Sequence, residues 1–135
     1  MTRYALAYVV TLAVFLAIDL VWLTKVARGL YVAEMGDLLR AQPMMGAAIV
    51  FYLLYAAGLV FFAVEPGLRA QSVVTAAGLG AALGLIAYGT YDLTNLAVLK
   101  GYSVRIGLID LAWGTLLSGV TAAIATAVVS VFTAR

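Results

Sequence analysis

Polar and apolar positions in this chain divide into four long apolar runs with short polar breaks between them, instead of alternating at the short periods of soluble elements. The runs cover residues 4–24, 44–64, 73–96 and 106–132. A helix needs about 20 apolar residues to cross roughly 30 Å of hydrocarbon. Lipid cannot satisfy open backbone groups, so each crossing must be a complete helix. The pattern therefore predicts an all-α membrane protein: a single transmembrane domain folded as a four-transmembrane-helix bundle. Pro43 opens the second run, and Glu65-Pro66-Gly67 marks its expected end. An even number of spans puts both termini on one side.

The connections differ in kind. Lys25 to Gln42 mixes Arg28, Glu34, Asp37 and Arg40 with Leu30, Tyr31, Met35, Leu38 and Leu39. That mixture predicts an interfacial amphipathic helix between helices 1 and 2. Glu65 to Ser72 and Leu99 to Arg105 are short, so spans two and three, and three and four, are expected as antiparallel hairpins.

Composition agrees: 66% of residues are hydrophobic, 10% are charged, and the mean hydropathy is +1.12. A water-soluble domain of 135 residues has too little interior to hide that much apolar surface, so lipid is the expected solvent and partner. The net charge of +2 comes from Lys and Arg scattered singly between apolar blocks. They read as helix-end anchors, and no nucleic-acid partner is expected. Cysteine and histidine are both absent. This removes disulfides, thiolate or imidazole metal sites and imidazole catalysis, so no metal, cofactor or catalytic residue is expected. The first run follows Arg3 as a signal peptide might, but it is long, lacks a small-residue cleavage pattern and carries Asp19 and Trp22; it reads as a retained span. Lys25, Arg28, Arg40, Lys100 and Arg105 flank one face, against Arg3, Arg69 and Arg135 on the other. The positive-inside rule then places the first and third connections in the cytoplasm and both termini in the periplasm.

Chain direction locates the acids. Asp19 and Asp92 precede the ends of spans one and three by a few residues, and Asp110 follows the start of span four. All three fall near one face, roughly 6 to 10 Å below it at 1.5 Å per residue. An unpaired carboxylate at the bilayer centre costs about 2.5 to 3.5 kcal/mol, less toward the interface. The three are expected to face one another or hydrogen-bond donors. Small residues recur every fourth position: Asp110, Gly114, Ser118, Ala122, Thr126 and Ser130 in span four, and Gly80, Gly84, Tyr88 and Asp92 in span three. Such stripes let helices approach closely, and packing along them would bring Asp92 to Asp110. Thr11, Phe15 and Asp19 share a face of span one and could complete the cluster. Tyr88, Tyr91, Thr94, Asn95, Tyr52, Tyr55 and Trp113 are candidate donors, while Lys25, Arg40, Lys100 and Arg105 could reach down from the rim. Trp22 fits an interfacial belt equally well.

A carboxyl cluster of this kind could hold protons, accept a cation or clamp a small polar head group. It could also be a structural hydrogen-bond knot. The other reading of the chain is an accessory or structural subunit of a larger membrane complex, with the helix after Lys25 as its contact.

FLAIDLVWL (Phe15 to Leu23), FYLLYAAGLVFFAVEPGL (Phe51 to Leu68), YGTYDLTNLAVLKGYS (Tyr88 to Ser103) and IDLAWGTLLSG (Ile109 to Gly119) resemble the DUF2177 family of small bacterial four-span membrane proteins. The resemblance covers essentially the whole chain, and the block from Tyr91 to Gly101 is its most specific part. It implies a bacterial inner-membrane location and supplies no functional residues; Asp19, Asp92, Asn95 and Asp110 are selected on physical grounds. Small multidrug transporters are also short four-span chains with an acid in the first helix and work as dimers, so a homodimer is a further expectation. Here, however, the acids lie toward one face and not at the midplane.

Overall fold

The structure, a computed structural model, describes residues 2–133; Arg135, one of the cations counted for orientation, lies outside them. Its elements are α1 (Thr2–Trp22), α2 (Arg28–Met35), α3 (Met45–Leu59), α4 (Glu65–Ala70), α5 (Val73–Val98) and α6 (Val104–Thr133). Four helices are long and apolar enough to cross a membrane: Thr2–Leu38, Met45–Ala70, Val73–Val98 and Val104–Thr133.

The first runs on because nothing between Trp22 and Arg28 breaks a helix. A π-helical turn, Leu23–Ala27, joins α1 to α2 without interruption, and the Thr24 hydroxyl bonds back to the Leu20 carbonyl at 2.7 Å. Helical structure ends at Leu38, after the 3-10 turn Gly36–Leu38. The expected helix between spans one and two is therefore α2, grown out of span one.

Span two also extends past its expected end. A second π turn, Val60–Val64, leads directly into α4, with Pro66 in its first turn. Proline lacks an N–H, and the first turn is where that loss matters least. Gly67 permits a close approach: a Cβ there would meet the Ala76 Cβ at 2.6 Å. The stop comes at Gln71, left-handed at φ 51°. Ser72 then caps α5 by accepting the Thr75 N–H at 3.0 Å. Ser103 does the same for α6, accepting the Ile106 N–H at 3.1 Å.

The tightest helix pair is α5 with α6. A Cβ at Gly80 would meet the Ser118 carbonyl oxygen at 2.6 Å, and one at Gly84 would collide with the Gly114 carbonyl oxygen. The small residues at these positions are what allow the backbones to touch. α1 lies antiparallel along α6. Two apolar clusters fill the bundle: Ala7, Val64, Ala76, Ala125 and Val129 toward the termini, and Phe15, Tyr55, Leu59 and Leu117 toward the acids. Large apolar side chains such as Leu54 and Phe61 (70% exposed) and Val74 (81%) point outward, as expected where the surrounding medium is acyl chain.

Candidate functional site

The aspartates gather between α1, α5 and α6, capped by α2. Asp92 is fully buried, and its Oδ1 accepts the Tyr102 hydroxyl at 2.7 Å. The Asp110 carboxyl stands within hydrogen-bonding reach of the Asp92 carboxyl, while Asp110 Oδ1 accepts the Tyr31 hydroxyl at 2.8 Å. Asp92 Oδ2 is buried and meets no hydroxyl or N–H donor among the described residues. Two carboxylates are acceptors only, so the Asp92–Asp110 contact becomes a hydrogen bond only when one of them carries a proton.

Asp19, 7% exposed, accepts from Tyr52 Oη at 2.6 Å and from Trp113 Nε1 at 3.1 Å. Trp113 thus serves the acid of span one, although it follows Asp110 by three residues in the sequence. Trp22 stacks on Trp113 with ring centres 4.3 Å apart and planes 8° from parallel. The Tyr88 ring occupies the space that a side chain at Gly114 would need and faces both Asp19 and Asp110.

Asn95 stands beside the Tyr102 hydroxyl. Tyr91 meets the Tyr102 ring edge-on, 6.3 Å between centres. With Phe51, Ala87, Tyr88 and Asp110 it lines a cavity of about 280 Å³. Ser118, on the α6 stripe, exchanges a 2.7 Å hydrogen bond with Tyr55.

Among the described residues, no Lys or Arg pairs with this cluster. Arg105, expected to reach the aspartates, pairs with Glu34 at 3.8 Å, and no Lys or Arg among the described residues forms an ion pair with Asp19, Asp92 or Asp110. α2 brings both Tyr31 and Glu34 over this end, so the arginine finds an acid on α2 first. The donors are phenols and an indole instead. Burial, and then the bond to Asp92, holds the Tyr102 hydroxyl well above the ordinary phenol range, so it remains a donor at any physiological pH. No group of three or more acidic, His or Cys side chains is arranged to hold a metal among the described residues.

Three contributors escaped the sequence reading. Tyr31 reads as part of an apolar stripe and Tyr102 as a loop residue. Glu65 reads as a boundary marker, yet it is 4% exposed. Arg3 bonds it from α1, and Arg69 lies 3.6 Å away, one turn along its own helix. The available signal for Glu65 was its position beside an apolar run with cations at Arg3 and Arg69.

No curated protein and no solved structure matches the chain. A family model does, over residues 4–127. With its four apolar helices and nearly whole-length match, the chain belongs to the DUF2177 family, described as predicted membrane proteins.

Proposed function

We propose that this protein binds a small organic ammonium cation at the aspartate end of the bundle and exchanges it for the proton shared by Asp92 and Asp110. The observation that carries this reading is the carboxyl–carboxyl contact beside an aromatic-walled cavity, with no Lys or Arg among the described residues paired to either acid. Phe51, Tyr88 and Tyr91 present ring surface, and ring faces attract alkylammonium groups by about 0.5 to 2 kcal/mol each, most when desolvated. Asp110 supplies the negative charge. At about 280 Å³ the cavity falls just under the usual range for drug-sized ligands, which favours a ligand of a few carbons around one charged nitrogen. When the cation enters, the carboxyl pair gives up its proton and total charge is conserved.

In this reading the protein resides in a bacterial inner membrane with the acid end toward the cytoplasm, the side favoured by Lys25, Arg28, Arg40, Lys100 and Arg105. A partner-subunit role draws less support, because Tyr31 and Glu34 of α2 are already bonded to the chain's own Asp110, Ser103 and Arg105.

The test is calorimetric titration of detergent-purified protein with tetraethylammonium in two buffers of different ionisation enthalpy. Saturable binding with proton release is expected, weakened about tenfold or more in Asp110→Asn. Absence of saturable binding, or equal affinity in Asp110→Asn, overturns the proposal.

A further inference from the structure

At the end away from the aspartates, a groove of about 610 Å³ opens between α1 and the continuous helix made of α3 and α4. Two rows of residues spaced by four line it: Tyr4 and Tyr8 on α1, and Ala57, Phe61, Glu65 and Arg69 on the other helix. Residues four apart share a helix face, and the second row continues through the π turn Val60–Val64 into α4 without a break. Ala5 and Ala57 also border the groove, and their short side chains leave space that leucine would fill. One turn deeper than Ala57, the Leu53 carbonyl accepts the Tyr8 hydroxyl at 2.9 Å, which ties α1 to α3.

The groove is apolar along its length and charged at its mouth. Ala57 and Arg69 lie 12 residues apart, at most about 18 Å at 1.5 Å per residue. That is the depth of one leaflet in a bilayer whose hydrocarbon core is roughly 30 Å thick. At the mouth, Arg3 and Arg69 face Glu65, so two guanidinium groups meet one carboxylate and the described residues carry a surplus of positive charge. The remaining acids, Asp19, Glu34, Asp37, Asp92 and Asp110, belong to the opposite end. Arg3 bonds Glu65 directly, whereas Arg69 Nε stays 3.6 Å from it. Arg69 Nη2 donates to the Tyr4 hydroxyl at a long 3.4 Å, and the Arg69 side chain is largely exposed. A guanidinium has five N–H donors, so Arg69 keeps donors for a further acceptor, and Tyr4 keeps its own hydroxyl proton to give.

We infer that this groove binds an anionic phospholipid, with one acyl chain along Ala57, Phe61 and Tyr8 and the phosphate held by Arg69 and the Tyr4 hydroxyl. The occupant must be amphiphilic, because an apolar wall and a cation are joined within the depth of one leaflet. It must carry net negative charge, because the mouth holds more guanidinium than carboxylate. Arginine suits the phosphate, since its planar fork matches two phosphate oxygens at once. Tyrosine suits the same depth, with its ring among acyl chains and its hydroxyl at the headgroups. The site shares no residue with the aspartate end, so it stands or falls apart from ammonium binding.

The test is native mass spectrometry of the full chain, released from detergent micelles that contain dioleoylphosphatidylglycerol and dioleoylphosphatidylcholine in equal amounts. Wild type is expected to retain the phosphatidylglycerol over the phosphatidylcholine by about fivefold, and Arg69→Gln to lose that preference. Arg69 is exposed and outside the core, so this variant keeps its packing and carries the decision. Ala57→Leu, which fills the groove and leaves Arg69 in place, is expected to lose the bound lipid as well. Arg105→Gln removes the same charge from the opposite face and is expected to behave as wild type. Equal retention of the two lipids by wild type, or an undiminished preference in Arg69→Gln, overturns the proposal. Undiminished binding in Ala57→Leu overturns the groove as the acyl-chain site. A loss in Arg105→Gln equal to that in Arg69→Gln overturns it too, because anionic lipid would then be drawn to the cationic chain as a whole.

Discussion

The two ends of the bundle solve the same problem, a buried acid, with opposite chemistry. Glu65 is met by two guanidinium groups, whereas Asp19, Asp92 and Asp110 are met by three phenols, one indole and one another. A guanidinium meets a carboxylate with opposite charge and ties together the helices that carry the two groups. Neutral donors lower the cost of burial through hydrogen bonds alone. The difference teaches that burial alone does not describe an acid; the charge of its partners is what separates the two ends.

Removing one neutral donor should have the largest effect. In Tyr102→Phe, Asp92 Oδ1 loses its hydroxyl inside a site where Oδ2 already lacks a donor. An acceptor stranded in this way costs about 1 to 3 kcal/mol. Unfolding by sodium dodecyl sulfate in mixed micelles should register that loss. A variant as stable as wild type would show that water reaches Asp92 freely, and the contrast between the two ends would collapse.

The opposite end should respond less. In Glu65→Gln, Arg3 and Arg69 lose a counter-charge, but their side chains are 40% and 69% exposed and can turn toward water, so a cost of about 1 kcal/mol is expected. The distinguishing signature is salt. Raising sodium chloride from about 0.05 to 1 M should shrink the gap between wild type and Glu65→Gln, because partly exposed ion pairs are screened. It should leave the gap for Tyr102→Phe unchanged. Equal salt sensitivity at both ends would erase the distinction.

These partners were unevenly legible in the sequence. The four spans follow from run length, and the shared depth of the aspartates follows from chain direction, because both depend on one dimension only. Rotation about a helix axis is a second dimension that an all-round apolar helix does not encode. That is why Trp113 could not be assigned to Asp19 across the bundle in preference to Asp110 on its own helix. Tyr31 was hidden for a related reason: a phenol covers an apolar stripe and donates a hydrogen bond with the same side chain. Glu65 was misread because Pro66 and Gly67 signal a stop in water-soluble chains. Here the preceding π turn delivers Pro66 to a first helical turn, and Gly67 lets α4 press against Ala76. The glycine stripe was legible because close packing demands small residues at fixed spacing, whatever the rotation of the rest.

The smallest change in stability is expected where the sequence change looks most severe. Asp92→Asn replaces a carboxyl with an amide of the same shape. Its oxygen can accept from Tyr102, and its NH₂ can donate to Asp110, which is the bond a protonated Asp92 makes at that contact. If the pair normally shares one proton, the amide imitates the protonated partner, and unfolding should move by less than about 0.5 kcal/mol. Proton release on tetraethylammonium binding should nevertheless disappear, since no shared proton remains to be displaced. If instead both aspartates are ionised and solvated in the native protein, removing one like charge should stabilise the fold measurably, by about 1 kcal/mol or more. The sign and size of that one change separate a carboxyl pair held by a proton from two independent anions.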